Sequence, residues 1–226
     1  METAKESQWH EYFEGVFRDA GPWLNYPNPQ CQTQTWALAL EAAGPVAGRR
    51  CLDVGCGRGN LSLILSAMGG DVVGVDFIDD AARSNRYPHI VWATQSLADA
   101  SFGKDLGSFD RIFILEVLQY TDLVRGLQTL WKMLAPGGRI VGTVPNRDCP
   151  IVTRTMARFE GAYSAPTPEA LSSAIAALEG LDFWACRGLA FQADQRIAPY
   201  VALAWSTDLR WTEPPNRMLF AAAKKS

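Results

Sequence analysis

The sequence predicts a single α/β domain in which a sheet of seven strands, parallel through its first five, is covered by helices on both faces. Apolar runs with strand character alternate with helical stretches through much of the chain, and this alternation is typical of a doubly wound sheet. A glycine-rich turn joins the first strand to the following helix, which is the second indication. The predicted strands lie at 50–54, 71–76, 89–94, 110–115, 139–144, 181–191 and 217–223.

Helical patterns occupy the intervals between these strands and the segment before the first one. The first predicted helix includes 35–43, and the others lie at 59–68, 79–86, 122–134 and 169–178. Pro136, Gly137 and Gly138 predict a tight turn into the fifth strand. Residues 147–168 contain several prolines and are predicted to be irregular. A length of 226 residues suits one domain with a small elaboration.

Composition excludes several classes of protein. The formal net charge is −3 and the only paired basic residues near a terminus are Lys224 and Lys225, which argues against a nucleic-acid partner. No run approaches the ~18 apolar residues of a membrane span, and the polar N-terminus lacks a signal-peptide core, so we expect a cytoplasmic protein without a membrane partner. The five cysteines are scattered without a C-x-x-C pair, so no metal site is predicted.

The glycine-rich turn has the features of a cofactor floor. Gly55, Gly57 and Gly59 tolerate positive φ and carry no Cβ, so a ligand can lie against the backbone, with Cys56 as a small filler between them. The N–H groups at the start of the next helix favour an anionic group. A dinucleotide fingerprint of the form G-x-G-x-x-G needs glycine at position 60, where Asn60 stands.

Two carboxylates indicate which cofactor this floor holds. Asp53 lies two residues before the first glycine, where it would repel a pyrophosphate and attract an ammonium group, so an amino-acid zwitterion such as that of S-adenosylmethionine fits. Asp76 ends the second strand, where an acidic side chain accepts the hydroxyls of a ribose. Its alternative role is to cap a helix beginning near Asp79. Phe77 and Ile78 follow, and they suit an adenine ring.

Four segments resemble, in the correct order, the motifs of class I S-adenosylmethionine-dependent methyltransferases. Residues 52–59 (Leu-Asp-Val-Gly-Cys-Gly-Arg-Gly) resemble their first motif and 73–76 the acidic end of their second strand. Residues 108–122 are similar to their fourth strand and its loop, and 134–146 to the turn and fifth strand. The resemblance covers most of the chain. It implies that residues 1–226 form one Rossmann-like domain, whose sheet is mainly parallel with an antiparallel last strand. It also implies that the protein acts as a monomer or homodimer.

The resemblance extends to the adenine side of the cofactor, with one departure. Many members have Asp after the third strand, near the adenine amino group, whereas this chain has Gln95, Ser96 and Leu97. Gln95 or Ser96 is predicted to accept that hydrogen bond instead. Leu115 and Glu116, where the fourth strand ends, complete the predicted cofactor contacts.

Methyl transfer from a sulfonium needs alignment and exclusion of water more than it needs an acid or a metal. Glu116 is the first catalytic candidate, as a base or an orienting group; its alternative is a loop carboxylate that bonds backbone N–H groups or faces solvent. Tyr120 and His10 are further candidates. Ubiquinone-pathway O-methyltransferases, which this region resembles, carry Glu-x-x-Glu-His as metal ligands, but here Gln119 and Tyr120 replace the last two.

The methyl acceptor is predicted to bind between the N-terminal segment and the segment after the fifth strand. Residues 1–30 are rich in aromatic side chains and are expected to form a helical cap, which either closes over the cofactor as a lid or packs on the core. Residues 147–168 are expected to form the loop on the substrate side. The candidate acceptor-binding residues are Tyr12, Phe13, Trp23, Tyr26, Arg147 and Tyr163.

These observations predict transfer of a methyl group from S-adenosylmethionine to oxygen or nitrogen of a small molecule. An NAD(P)-dependent oxidoreductase and a non-catalytic S-adenosylmethionine-binding protein remain as alternatives. The spacing of the glycines and Asp53 argue against the first.

Overall fold

The computed structural model describes residues 11–13, 26–158, 163–191 and 198–226. Within these residues the chain forms one mixed sheet of eight strands in the order β3-β2-β1-β4-β5-β8-β6-β7. The strands are β1 (Arg50–Val54), β2 (Asp71–Asp76), β3 (Val91–Thr94), β4 (Phe109–Leu115), β5 (Leu134–Pro145), β6 (Leu181–Ala190), β7 (Val201–Ala202) and β8 (Arg217–Lys224). The predicted doubly wound fold is confirmed.

Six helices of the described chain accompany the sheet. They are α1 (Pro29–Ala43), α2 (Asn60–Ala67), α3 (Ala81–Arg86), α4 (Leu123–Met133), α5 (Pro150–Arg158) and α6 (Pro168–Ala176), with a 3₁₀ turn at Leu118–Tyr120. The apolar side chains of the central strands are divided between two buried clusters, for example Leu52 and Val54 in one and Cys51 in the other. The central strands are therefore buried on both faces, as parallel strands usually are.

Strands β1 to β5 pair in parallel, and β8 pairs antiparallel with β5 on one side and with β6 on the other. Because β8 runs the opposite way, Arg217 at its start pairs with Pro145 at the end of β5. The start of β8 thus shares an edge with the carboxyl ends of the parallel strands. The chain order reverses at β1, between β2 and β4, and open α/β sheets bind ligands beyond such a switch point.

Two local predictions were wrong. The sheet has an eighth strand, β7, whose two residues are too few to show a period. Helix α5 occupies part of the segment predicted to be irregular, whereas α1, which begins at Pro29, contains the predicted helical residues 35–43. Both helices begin at a proline, and a proline is compatible with the first turn of a helix, where its missing N–H has no intrahelical partner. Asn28 caps α1 by accepting from the N–H of Cys31 at 2.8 Å.

No helix in the described ranges is long and apolar enough to cross a membrane.

Candidate functional site

The glycine turn lies beyond β1, in a conformation that only glycine adopts readily. Gly55, Gly57 and Gly59 have φ of 69°, 53° and 79°. The carbonyl of Val75 accepts from the N–H of Gly55 at 2.7 Å, which ties the turn to β2. A Cβ added to Gly59 would lie 2.5 Å from Cη2 of Trp92. The glycines therefore serve close packing as well as backbone conformation, a role that the sequence did not indicate.

Asp53 is a buried carboxylate at the end of β1, only 3% exposed. Its Oδ2 accepts a 2.6 Å hydrogen bond from the hydroxyl of Ser62 in α2. Burial raises the pKa of Asp53 to about 6, the Ser62 hydrogen bond lowers it, and the charge of Asp76 raises it further. A cationic group beside Asp53 would stabilise its ionised form, so this carboxylate fits the ammonium end of a zwitterionic ligand.

Asp76 holds the glycine turn from the end of β2. Its Oδ2 accepts from the N–H of Gly57 at 2.8 Å and its Oδ1 from the N–H of Ile78 at 3.0 Å. A carboxylate has about four lone-pair positions, so each oxygen can accept one more hydrogen bond, as binding of a ribose diol requires. The alternative role as a helix cap was wrong, because Asp80 caps α3 by accepting from the N–H of Ala82.

Arg83 of α3 supports the glycine turn from behind. Its Nη1 donates to the carbonyl of Gly57 at 2.8 Å, and its guanidinium lies 5.0 Å from the centre of the Trp92 ring. The side chain is 2% exposed. Its charge lowers the pKa of both Asp53 and Asp76, against the stronger effect of burial. Sequence reasoning missed Arg83, because one arginine in a short polar helix has the pattern of a surface residue.

The predicted adenine side is formed by the segment after β3. Oε1 of Gln95 accepts from the N–H of Gly103 at 2.8 Å, and Oγ of Ser96 accepts from the N–H of Ala98 at 3.2 Å. Leu97 is buried. Each of the two oxygens keeps a second lone pair. Their predicted hydrogen bond to an adenine amino group therefore stays a prediction.

Glu116 follows β4 with φ of 59°, the only positive φ of a non-glycine residue in the described part of the chain. Its N–H donates to Oγ1 of Thr143 at 3.0 Å. Its carboxylate is 3% exposed, and Oε2 accepts from Nε of Arg217 at 2.8 Å. The alternative of a solvent-facing carboxylate was therefore wrong. Residues held in this sparsely populated region are common at functional sites.

The charges around Glu116 are balanced within the site. Burial raises the pKa of Glu116 and the guanidinium of Arg217 lowers it. Burial lowers the pKa of Arg217, but Glu116, Tyr200 and Tyr163 together raise it by more, so the net shift is upward. Burial first, and then the charge of Glu116, raise the pKa of Tyr26. Tyr163 and Tyr200 also have pKa values raised by burial, with Arg217 opposing and Glu116 adding. The site therefore holds one ion pair surrounded by neutral phenols.

An aromatic cluster adjoins this ion pair. The ring of Phe13 packs edge-on against Phe77 at 5.8 Å and against Tyr120 at 5.2 Å, and Tyr120 packs against Tyr163 at 5.7 Å. These four residues come from the N-terminal segment, the loop after β2, the loop after β4 and the segment before α6. The structure thus brings together residues that the sequence assigned to cofactor, catalysis and acceptor. Ile78 belongs to the same buried group.

The other predicted residues are distributed differently. Tyr12 is 44% exposed, with its ring against Phe13. Arg147 is exposed, so its predicted contact with an acceptor stays a prediction. His10 and Trp23 lie outside the described residues. Leu115 is partly buried where β4 ends. No group of three His, Cys, Asp or Glu side chains that could hold a metal occurs within the described ranges.

The glycine turn between two buried carboxylates, at the switch point of a doubly wound sheet, defines a domain that binds a nucleoside-containing cofactor. A sequence profile described as "Methyltransferase domain" matches residues 30–197, which is most of the chain. The chain belongs to this methyltransferase-domain family.

Curated relatives match about half to two thirds of the chain. A demethylmenaquinone methyltransferase of Clavibacter sepedonicus is 35% identical over 115 residues, 48% of this chain and 46% of the relative. A ubiquinone biosynthesis O-methyltransferase of Aliivibrio fischeri MJ11 is 30% identical over 148 residues, 63% of this chain and 59% of the relative. The chain thus spans about half the length of the curated relatives it matches.

Solved structures share the fold across nearly the whole chain. The N-methyltransferase NodS from Bradyrhizobium japonicum WM9, in complex with S-adenosylhomocysteine, has a TM-score of 0.67 at 19% identity and covers 96% of this chain and 98% of its own. Magnesium protoporphyrin IX methyltransferase from Synechocystis PCC 6803, with bound S-adenosylhomocysteine, has a TM-score of 0.66 at 16% identity and covers 97% and 100%.

Proposed function

We propose that this chain transfers a methyl group from S-adenosylmethionine to oxygen or nitrogen of a small molecule. The observation that carries the proposal is the pair of buried carboxylates, Asp53 and Asp76, on either side of a glycine turn with positive φ. This arrangement occurs in a chain of the methyltransferase-domain family. The relatives include an O-methyltransferase and the structural neighbours an N-methyltransferase, which is consistent with either acceptor atom.

The residues of the turn suit the parts of the cofactor separately. Asp53 would bind the ammonium group, because it is a buried carboxylate whose ionised form needs a cation. The backbone of the glycine turn and the start of α2 would bind the carboxylate. The free lone pairs of Asp76 would accept the ribose hydroxyls, with Phe77 and Ile78 beside the adenine. When bound, S-adenosylmethionine supplies a methyl group attached to a positively charged sulfur. A lone pair of the acceptor can attack this methyl group and displace the sulfur.

The rest of the site would orient the acceptor and exclude water. The rings of Phe13, Tyr120 and Tyr163 supply an apolar wall, and burial of this kind restricts an acceptor to few orientations. Glu116, ionised and held by Arg217, would accept a proton from the acceptor as the new bond forms. A guanidinium rather than a metal cation balances Glu116, which fits the replacement of two metal ligands by Gln119 and Tyr120.

We infer that the acceptor is a small molecule and that the protein acts in the cytoplasm. The net charge of −3 and the absence of a basic cluster in the sequence support a partner other than nucleic acid.

Thermal melting of the full chain with S-adenosylmethionine, S-adenosylhomocysteine or NAD tests the cofactor. Ligand at a hundred times its Kd should add about 2.7 kcal/mol to the free energy of unfolding for either of the first two and nothing for NAD. Asp76→Asn should reduce this gain, and Asp105→Asn, an exposed carboxylate, serves as the control. No shift with either sulfur ligand across a wide concentration range, or a shift with NAD alone, would contradict the proposal.

A further inference from the structure

Besides Oε1 of Gln34, Nε of Arg83 and Nε of Arg111, four buried side-chain polar atoms have no hydrogen-bond partner among the described residues, and all four side chains belong to the edge of the sheet where Glu116 and Arg217 meet. They are Oε1 of Glu116, Oε1 of Gln119, Nδ2 of Asn146 and the hydroxyl of Tyr200. These side chains are 3%, 1%, 0% and 3% exposed. Leaving a buried polar atom unpaired is costly, so such a concentration indicates atoms reserved for a ligand.

The four residues converge through the sheet. Glu116 follows β4, and Nε2 of Gln119 lies 3.5 Å from its Oε2. Asn146 follows β5, and its N–H donates to the carbonyl of Asn216, next to Arg217. Tyr200 directly precedes β7, whose Ala202 pairs with Leu189 of β6, and Leu189 pairs in turn with Arg217. The charges of Arg217 and Glu116 both act on the pKa of the Tyr200 phenol.

Existing hydrogen bonds fix which of these atoms donate and which accept. Oδ1 of Asn146 already accepts from the N–H of Asp148 at 3.1 Å, so its unpartnered atom is the donor Nδ2. The amide nitrogen of Gln119 faces Glu116, so its unpartnered atom is the acceptor Oε1. A phenol can do either. The cluster therefore offers both donors and acceptors to a ligand.

The charge of the cluster restricts the ligand further. Glu116 and Arg217 neutralise each other, so a ligand with a net charge would bury an uncompensated charge, which costs several kcal/mol. An ammonium group would donate but has no lone pair for Nδ2 of Asn146. A carboxylate would accept but has no hydrogen for Glu116. An uncharged hydroxyl satisfies both kinds of atom.

We propose that Glu116, Gln119, Asn146 and Tyr200 form the subsite that recognises the methyl acceptor, and that this subsite takes an uncharged hydroxyl group borne on an aromatic or otherwise apolar molecule. The inference rests on the proposed function and narrows the acceptor to an uncharged group that carries both a hydrogen and a lone pair, which favours a hydroxyl over an alkylamine that is protonated at neutral pH. The apolar part of the acceptor lies against the adjoining rings of Tyr120 and Tyr163, whose pKa values also respond to the charge of Glu116. The hydroxyl donates to Oε1 of Glu116 and accepts from Nδ2 of Asn146 or the Tyr200 phenol.

Four molecules of nearly equal shape test this assignment: phenol, toluene, benzylamine and benzoate. Their binding to the full chain is measured by NMR titration, with and without S-adenosylhomocysteine. Phenol should bind saturably and at least about tenfold more tightly than the two ions, because only it enters uncharged with a donor and an acceptor. Phenol should also bind about fivefold more tightly than toluene, because one ordinary hydrogen bond increases affinity by about that factor. The proposal is overturned if phenol shows no saturable binding, or if benzylamine or benzoate binds more tightly than phenol.

Tyr200→Phe provides a second test that retains the ring. This variant should bind phenol about fivefold more weakly and toluene with unchanged affinity. Tyr87→Phe makes the same chemical change beside Trp92, on another part of the molecule, and should alter neither. An unchanged phenol affinity in Tyr200→Phe contradicts the role of this hydroxyl. The ranking on the unaltered chain does not depend on folding of the variant. Failure of S-adenosylhomocysteine to bind would instead contradict the proposed function.

Discussion

The Nε atom of Arg217 lies 2.8 Å from Oε2 of Glu116, and the two residues are 101 positions apart in the chain. Glu116 directly follows the parallel strand β4, and Arg217 begins the last, antiparallel strand β8. Their side chains are 2% and 15% exposed. The pair therefore connects the centre of the sheet to its antiparallel edge, at the edge where the proposed acceptor subsite lies.

Removing Arg217 should be strongly destabilising, because it leaves the carboxylate of Glu116 buried without its cation. We expect Arg217→Met to lower the free energy of unfolding by about 3 to 5 kcal/mol, measured by urea denaturation at pH 7.5. The double variant Glu116→Gln, Arg217→Met should recover part of that loss.

The exposed ion pair of Arg210 with Asp208 supplies the control. Arg210→Met should leave the denaturation midpoint unchanged, since exposed ion pairs contribute little. If Arg217→Met had no larger effect than Arg210→Met, or if the double variant were as unstable as the single one, the two buried charges would not be coupled.

Gly59→Ala should destabilise the chain for two reasons. Its φ of 79° costs an L residue about 1 to 2 kcal/mol, and the new Cβ would lie 2.5 Å from the Trp92 ring, adding about 1 to 3 kcal/mol of overpacking. Gly48→Ala isolates the first cost, because Gly48 has φ of 67° with nothing within 4 Å of an added Cβ. Chemical denaturation of both variants should give the larger loss for Gly59→Ala, and equal losses would show that Trp92 moves aside without cost.

The glycine turn and its two carboxylates were predictable because they are local in sequence. Gly55, Gly57 and Gly59 follow an apolar strand directly, and Asp76 ends the next strand. These features depend on spacing within one βαβ unit. Arg217 and Tyr200 were missed because antiparallel pairing brings them to the site, and no local pattern marks that contact. The chain direction of β8 was the one available signal, since the start of an antiparallel strand meets the ends of parallel neighbours.

Helix α5 was not predicted because Pro150, at its first position, was interpreted as part of an irregular segment. Proline disrupts a helix interior but fits its first turn, and only the position of the cap tells the two apart. Asn28 immediately before Pro29 was such a cap. The aromatic cluster was predictable as a set of residues but not as contacts, because Phe13 and Tyr163 meet Tyr120 only in the folded chain.

Arg83→Met should loosen the glycine turn by removing the hydrogen bond to the carbonyl of Gly57. A hydrogen bond from a charged donor contributes about 1.5 to 3 kcal/mol, and we expect a loss of stability in that range together with weaker S-adenosylhomocysteine binding by calorimetry. Arg86→Met changes an exposed arginine of the same helix and should have neither effect. An Arg83→Met chain with unaltered affinity would show that the turn keeps its shape without this support.

The raised pKa of Asp53 connects stability to ligand binding. Its folded-state value of about 6 lies above the ordinary value of 3.8, chiefly through burial. The stabilising effect of the neutral form is therefore fully present below pH 3.8 and is lost as the pH rises through about 6. At neutral pH the ligand-free chain accordingly contains a destabilising buried charge, which an ammonium group of the ligand would compensate.

Asp53→Asn should separate these two effects. The variant removes the buried charge, so at pH 7.5 the ligand-free chain should melt no lower than the original, while its affinity for S-adenosylhomocysteine falls about tenfold or more because the ammonium loses a charged partner.

In the original chain the affinity should also fall as the pH drops below about 6, where Asp53 takes up a proton, and in Asp53→Asn this dependence should be weaker. Calorimetry from about pH 5, one unit below the Asp53 pKa, to about pH 8, one unit above neutrality, measures both effects. Asp71→Asn, an exposed carboxylate at the opposite end of the sheet, should behave like the original chain. Equal affinities of Asp53→Asn and the original chain at pH 7.5 would show that the ammonium group binds elsewhere.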